Sequence, residues 1–324
     1  MAYKVFIDGQ EGTTGLKIRG KLSGRKGIEI VEIERAFRKD RNARMEMYSE
    51  ADVAIMCLPD EEAFAMVDLL DENPGMDIRL IDASSAHRVR EGWTYGLPEL
   101  PIQEKNCAPI KQRELIRDSR RCAVPGCHAT GFVLAASPLF LAGIIPEEAQ
   151  LSYLSITGFS GGGKSMIEDY KANGKGLQSP RQYALPQTHK HLPEMVKMAG
   201  LAVPPVFTPV VAAYYSGILA NIPIQGEGIA LDDVLSAYRY FYGSEALIRV
   251  YGATPEQEGG FLSADGMAGR DDLELFVLGC DGRFTVTLRY DNLGKGAAGA
   301  VVQCLNLMLG LEETEGLVLE GKKV

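Results

Sequence analysis

Apolar runs at residues 3–8, 28–33, 52–58 and 79–82 alternate with helix-patterned stretches, 16–22 after the first and 61–70 between the last two. Strands separated by helices in units of about 30 residues cannot form hairpins; they require right-handed crossovers and a parallel sheet. The first half is therefore expected to be an α/β domain, a Rossmann-like doubly wound parallel sheet. After residue 136 the texture changes. Residues 151–157 and 284–290 alternate as strands, and 206–213 and 217–224 are β-rich. That pattern predicts a second, α+β domain with a mixed sheet. The stretch 297–309 carries small and apolar residues at helical spacing, placed to return to the first domain.

The first strand runs into Gly9-Gln10-Glu11-Gly12-Thr13-Thr14-Gly15. GxxGxxG between a strand and a helix is a relative of the dinucleotide fingerprint: its glycines allow a tight turn, close approach of a pyrophosphate and close helix–sheet packing. Gly9, Gly12, Thr13, Thr14 and Gly15 are the expected cofactor contacts. Beyond the second strand, Glu34 is followed by Arg35, Arg38, Lys39 and Arg41. Arginine at this point accepts a ribose 2′-phosphate, so Arg35 and Arg38 direct the expectation to NADP(H).

Ala123-Val124-Pro125-Gly126-Cys127-His128-Ala129-Thr130 places one cysteine between a rigid turn and the small, apolar, helix-patterned stretch 129–136. At a helix start the unpaired amides and the dipole favour thiolate over thiol, which makes Cys127 a candidate nucleophile. The other cysteines, at 57, 107, 122, 280 and 304, show no CxxC pair, arguing against a disulfide framework and a zinc site. A thiol nucleophile needs a proton carrier. His189-Lys190-His191, ahead of a helix opened by Pro193, supplies His189 or His191, whereas His128 adjoins the cysteine and points elsewhere. As metal ligands, this H-x-H lacks a third partner nearby.

Gly158-Phe159-Ser160-Gly161-Gly162-Gly163-Lys164-Ser165 matches GxxxxGK[ST] after a strand, so a P-loop NTPase is an alternative of another class. It lies mid-chain in the mixed-sheet half and lacks an acidic strand end for magnesium. Its other reading is a substrate-anion loop, with Ser160, Gly161 and Lys164 as contacts. The formal net charge of −9 offers no basic surface in bulk, which argues against nucleic acid as a partner, and no apolar run reaches the roughly 18 residues of a membrane span. The start, Met1-Ala2-Tyr3-Lys4, runs directly into a strand without a secretory leader, so a cytoplasmic location with reduced thiols is expected.

Taken together, Gly9-x-x-Gly12-x-x-Gly15, Tyr95-Gly96-Leu97-Pro98-Glu99-Leu100, Pro125-Gly126-Cys127, His189-Lys190-His191-Leu192-Pro193-Glu194 and Asp291-Asn292-Leu293-Gly294-Lys295-Gly296-Ala297-Ala298-Gly299 form a specific set. By these motifs the chain resembles, nearly end to end, the compact N-acetyl-gamma-glutamyl-phosphate reductases. That family comprises NADPH-dependent acyl-phosphate reductases of arginine biosynthesis, related in fold to the aspartate-semialdehyde dehydrogenases. The resemblance implies a Cys127 thioester reduced by NADPH, with His191 preferred over His189 as acid/base. It places Ser84, Asn292 and Gly296 near the cofactor and Ser85 and Arg88 at the substrate. Ser216-Gly217 stands where longer members carry Arg-Gly. A small acyl phosphate is the implied partner, with another acyl phosphate of the aspartate-semialdehyde type as the alternative, and the assembly a homodimer or homotetramer. The implied domains are 1–126, binding NADP, with 295–324 packed back on it, and 127–294, for catalysis and dimerisation.

Overall fold

The computed structural model describes residues 2–103, 109–252 and 258–320; Cys107 lies outside them. The chain forms two compact units. The first comprises Met1–Pro98, Gln112–Pro125 and Ala297–Leu317. Its strands are β1 (Tyr3–Asp8), β2 (Ile28–Val31), β3 (Val53–Met56), β4 (Arg79–Asp82), β5 (Thr94–Tyr95) and β8 (Arg121–Ala123). They lie in the order β2-β1-β3-β4-β8-β5, every pairing parallel. Val53 to Met56 are all buried, as expected of a strand covered on both faces. Helices α1 (Thr13–Leu22), α2 (Arg41–Glu50), α3 (Asp60–Asp71), α4 (Gln112–Asp118) and α9 (Gly299–Met308) complete the unit. The strand order reverses beside β1, opening a crevice at the ends of β1 and β3. Gly9 turns there at φ +82°, and a Cβ on it would fall 2.4 Å from the Cys57 carbonyl oxygen.

The second unit comprises Glu99–Lys111, Gly126–Gly296 and the chain from Val318. Strands β6 (Pro101–Ile102) and β7 (Ile110–Lys111) pair antiparallel. The main sheet takes β9 (Ser152–Gly158), β10 (Arg181–Gln182), β11 (Val206–Ala212), β12 (Ile218–Gln225), β13 (Ile248–Tyr251), β14 (Leu273–Cys280) and β15 (Arg283–Tyr290) in the order β10-β11-β9-β12-β15-β14-β13. It is mixed: β9 pairs parallel with β11 and antiparallel with β12. Helix α5 (Cys127–Leu141) packs on this sheet and against α7 (Leu192–Ala199) and α8 (Leu231–Tyr242); α6 (Gly163–Asn173) follows β9.

His128 through Leu139 are buried at every position, the property of a helix apolar all round. The sequence pattern ended this helix at Ala136, but it continues through Pro138. Proline cannot donate to the Leu134 carbonyl, and the Tyr242 hydroxyl does so instead at 2.9 Å. Tyr238 from the same helix donates to the Ala135 carbonyl. Among the described residues no helix is long and apolar enough to cross a membrane.

The Asp291–Gly299 stretch is a staple. The Asp291 carboxylate accepts from the amides of Leu293, Gly294 and Gly269 and from the Ser216 hydroxyl. A Cβ on Gly294 would lie 1.9 Å from the Arg270 carbonyl oxygen. Within the π-helical turn Gly294–Ala298, Lys295 is fully buried with Nζ 2.7 Å from both oxygens of Glu99, itself fully buried. Removing one member strands an uncompensated buried charge. Lys295→Met is expected to lower the unfolding free energy by about 3–5 kcal/mol, and the double variant Glu99→Leu/Lys295→Met to recover most of it. Denaturant unfolding of both variants checks this; equal losses would show that the pair is not coupled.

Candidate active site

In the second unit, Cys127 is the first residue of α5, half-buried, with Gly126 as the N-cap. Thr130 is the first amide of the helix to find a helical acceptor, the Gly126 carbonyl at 2.9 Å. The amides ahead of it face the N-terminal end where the cysteine sits. A helix N-terminus is where a cysteine thiolate is stabilised.

Gly126 is held by the first turn of α7. Its amide donates to the buried Glu194 carboxylate at 3.1 and 3.3 Å. The His191 ring lies against it: a Cβ on Gly126 would fall 2.2 Å from His191 Nε2. His191 is buried and His189 half-buried. The two imidazoles pack edge to face with centroids 4.5 Å apart, and the His191 amide donates to His189 Nδ1 at 3.1 Å. On the other side, a Cβ on Gly296 would be 3.0 Å from the Cys127 Cβ. The nucleophile candidate is thus bordered by a buried glutamate, an imidazole and a glycine-only approach.

His128 turns away from the thiol. Its Nδ1 lies 2.7 Å from Ser155 Oγ and its Nε2 2.6 Å from Tyr183 Oη, with centroids 5.8 Å from His191 and 6.0 Å from His189. Burial, assisted by the neighbouring His189, pushes its pKa down to about 3. It is a neutral bridge at working pH. Burial raises the phenols of Tyr153, Tyr183 and Tyr290.

The P-loop pattern does not make a phosphate cradle. Amides of Gly158, Phe159 and Ser160 donate to the carbonyls of Gly217, Tyr214 and Tyr215, and residues Phe159–Gly162 coil into a 3₁₀ turn. The Gly163 amide, one of those a phosphate-cradling loop presents, turns back to the Ser160 carbonyl. Asn292 bridges the same loop: Nδ2 donates to Ser160 Oγ at 3.0 Å, and Oδ1 accepts from the Gly217 amide at 2.8 Å. Ser160 is buried, whereas Gly161 and Lys164 are exposed.

The first unit carries a cavity of about 670 Å³ at the end of β1, lined by Gly9, Gln10 and Glu11 and rimmed by Arg38, Lys39, Arg41 and Arg44. Arg35, in the short 3₁₀ turn after β2, is not in the lining. Gly12 caps α1, which Thr13 and Thr14 open, and a Cβ on Gly15 would sit 2.7 Å from Gln10 Cα. A basic rim beside a helix start is suited to anionic groups such as phosphates. The Asp8 carboxylate accepts from Arg44 Nε at 3.0 Å and from the Tyr48 hydroxyl at 2.9 Å, fixing Arg44 in the wall. Arg38 pairs with Glu11 at 2.5 Å. At the end of β4, Asp82 accepts from the Ser84 hydroxyl at 2.7 Å and contacts His87 Nδ1 at 2.6 Å. The Ser85 amide donates to Asp60, and Arg88 Nε donates to the Val124 carbonyl at 3.0 Å.

A protein of Nostoc named N-acetyl-gamma-glutamyl-phosphate reductase 2 is 38% identical over 329 residues, covering 97% of this chain and 99% of its own length. The chain belongs to the N-acetyl-gamma-glutamyl-phosphate reductase family. A family member of the same name from Pseudomonas putida is 38% identical over 96% of this chain and 98% of its own. An N-acetyl-gamma-glutamyl-phosphate reductase of Rhizobium etli is 36% identical over 95% and 99%. The family model for a semialdehyde dehydrogenase NAD binding domain matches residues 9–107, and that for a semialdehyde dehydrogenase dimerisation domain matches 127–292. In fold, the chain resembles aspartate semialdehyde dehydrogenase II of Vibrio cholerae complexed with ASA, at TM-score 0.69 and 15% identity over 96% and 99% of the two chains. The Candida albicans aspartate semialdehyde dehydrogenase with NADP gives 0.63 at 12%, over 95% and 99%.

Sequence reasoning passed over Glu194, Tyr183, Ser155 and Arg44 in this family member. Glu194 carried a signal, an acid three residues after His191 and in the first turn of a helix opened by proline. Ser155 shares the inward face of β9 with Tyr153 and Thr157 by strand alternation.

Because burial depresses the His128 pKa from 6.5 to about 3, the unfolded chain binds the extra proton between those values. Its contribution to stability is therefore complete above pH 6.5 and lost as the pH falls towards 3. Within that window His128→Gln is expected to remove up to one tenfold change in unfolding constant per pH unit. Denaturant unfolding across pH 3.5–7 (about) measures the slope; an unchanged slope would contradict a neutral, buried His128.

Proposed function

We propose that this chain reduces N-acetyl-gamma-glutamyl phosphate to N-acetylglutamate 5-semialdehyde with release of phosphate, a step of arginine biosynthesis, using NADPH. One observation carries the reading: the cysteine of the family's Pro-Gly-Cys motif opens a buried helix, with Glu194 and His191 closed on the preceding glycine.

The Cys127 thiolate attacks the acyl carbon, the carbon–oxygen bond to phosphate breaks, and inorganic phosphate leaves a thioester on the sulfur. Amides at the start of α5 stabilise the oxyanion of that step. Bound NADPH supplies the hydride that reduces the acyl group. His191, with His189 behind it, donates a proton to the resulting oxyanion and recovers it as the carbon–sulfur bond breaks and the thiolate returns. Gly9, Gly12, Thr13, Thr14 and Gly15 form the pyrophosphate turn, Arg38 with Arg41 and Arg44 receives the 2′-phosphate, and Ser84 and Gly296 border the cofactor. Ser85, Arg88 and Ser160 border the substrate. The hydrogen bonds of Asn292 support a framework role, holding the Ser160 loop to Gly217.

The protein acts as a homodimer or homotetramer in the cytoplasm. Helices α5 and α8 pack on the second unit's main sheet, and Leu154 and Val206 remain exposed on its strands, supporting that sheet as the contact with a second copy.

The test is phosphate-dependent oxidation of N-acetylglutamate semialdehyde and of aspartate semialdehyde, each with NADP and NAD. Turnover is expected with the acetylated aldehyde and NADP, and its loss by at least about 10³-fold in Cys127→Ala. Preference for aspartate semialdehyde, or retained turnover in Cys127→Ala, would overturn the reading.

A further inference from the structure

Four tyrosine hydroxyls donate to backbone carbonyls of α5, two of them in the first turn. Tyr290, at the end of β15, donates to the Cys127 carbonyl at 2.7 Å and accepts from the Gly131 amide at 3.2 Å. That carbonyl and amide are the pair an α-helix joins directly, and the phenol bridges them. Tyr153, from β9, donates to the next carbonyl, that of His128, at 2.8 Å. Gly131 is small for this reason: a Cβ there would lie 2.6 Å from the Tyr290 oxygen and 3.1 Å from that of Tyr153. Both rings are buried, and burial raises both phenols, so they remain donors.

A peptide unit is planar and trans, so its carbonyl and the following amide point opposite ways. Fixing the Cys127 carbonyl fixes the direction of the His128 amide, and fixing the His128 carbonyl fixes that of Ala129. These amides point from the helix N-terminus past the nucleophile, and the amide after a nucleophile is a recurrent oxyanion donor. The neighbouring Gly126 amide is engaged by Glu194.

We propose that Tyr290 and Tyr153 are positioning residues that aim the His128 and Ala129 amides at the oxyanion formed on acylation, holding each peptide plane from its carbonyl end. This rests on the acyl-transfer role of Cys127. Its signature is selective: aim matters where an oxyanion develops and not in alkylation of the sulfur, which develops none.

The experiment mixes enzyme with N-acetyl-gamma-glutamyl phosphate without reductant and records the first-turnover phosphate burst, beside the rate of Cys127 alkylation by iodoacetamide against pH. Tyr290→Phe and Tyr153→Phe keep the rings and remove the hydroxyls. Each is expected to slow the burst about tenfold or more while slowing alkylation far less. Gly131→Ala is the second route: its Cβ displaces the phenols, so the burst should slow in enzyme that still folds, at the cost of a lower thermal midpoint. A wild-type burst matched within twofold by all three variants overturns the proposal, as does alkylation falling in step with the burst. Absence of a burst in the wild type instead overturns the thioester reading.

Discussion

The amide of Gly126 donates into a carboxylate that has almost no access to water, and the geometry around Cys127 depends on that contact. A buried carboxylate is costly unless its lone pairs are engaged, so Glu194 ties the turn before the nucleophile to the start of α7. The same turn of α7 lays the His191 ring across Gly126, where a methyl group does not fit. From the sheet side Tyr290 and Tyr153 hold the carbonyls of residues 127 and 128. The backbone carrying the nucleophile is gripped by polar groups from α7, β9 and β15, each anchored in a rigid element. Preorganisation of this kind lets backbone amides act on a transient charge without reorganising first.

The arrangement also explains why so much of α5 is apolar and small. A helix buried on all sides has only backbone groups to offer, and the surrounding tyrosines supply the polar contact through their hydroxyls. The Lys295–Glu99 pair does comparable work below the site. It fixes the π-helical turn whose Gly296 reaches the Cys127 Cβ. The Asp291–Gly299 motif is thus a folding device, with Asp291 capping, Gly294 fitting beneath a carbonyl, and Lys295 paired.

Much of the fold was legible in the sequence because its signals are local. The parallel sheet followed from strand and helix periodicity, the tight turn at Gly9 from glycines right after β1, and the Cys127 helix start from Pro125-Gly126. Less legible were contacts closed over long sequence separations. Tyr290 and Cys127 lie 163 residues apart, and an inward tyrosine at a strand end reads as core. Arg44 was hidden because its orientation comes from Asp8 and Tyr48. The P-loop pattern misled for the converse reason: its letters are local, but the 214–217 segment pairs with its first three amides and the loop coils into a 3₁₀ turn that takes up the Gly163 amide.

The central claim is that the acyl group is carried on one sulfur. Peptide mass spectrometry of enzyme quenched in acid after mixing with N-acetyl-gamma-glutamyl phosphate, without reductant, tests it directly. The expected result is an N-acetylglutamyl thioester on the peptide containing Cys127, lost on treatment with hydroxylamine. An unmodified Cys127 after phosphate has been released, or an acyl group on another residue, would contradict the account.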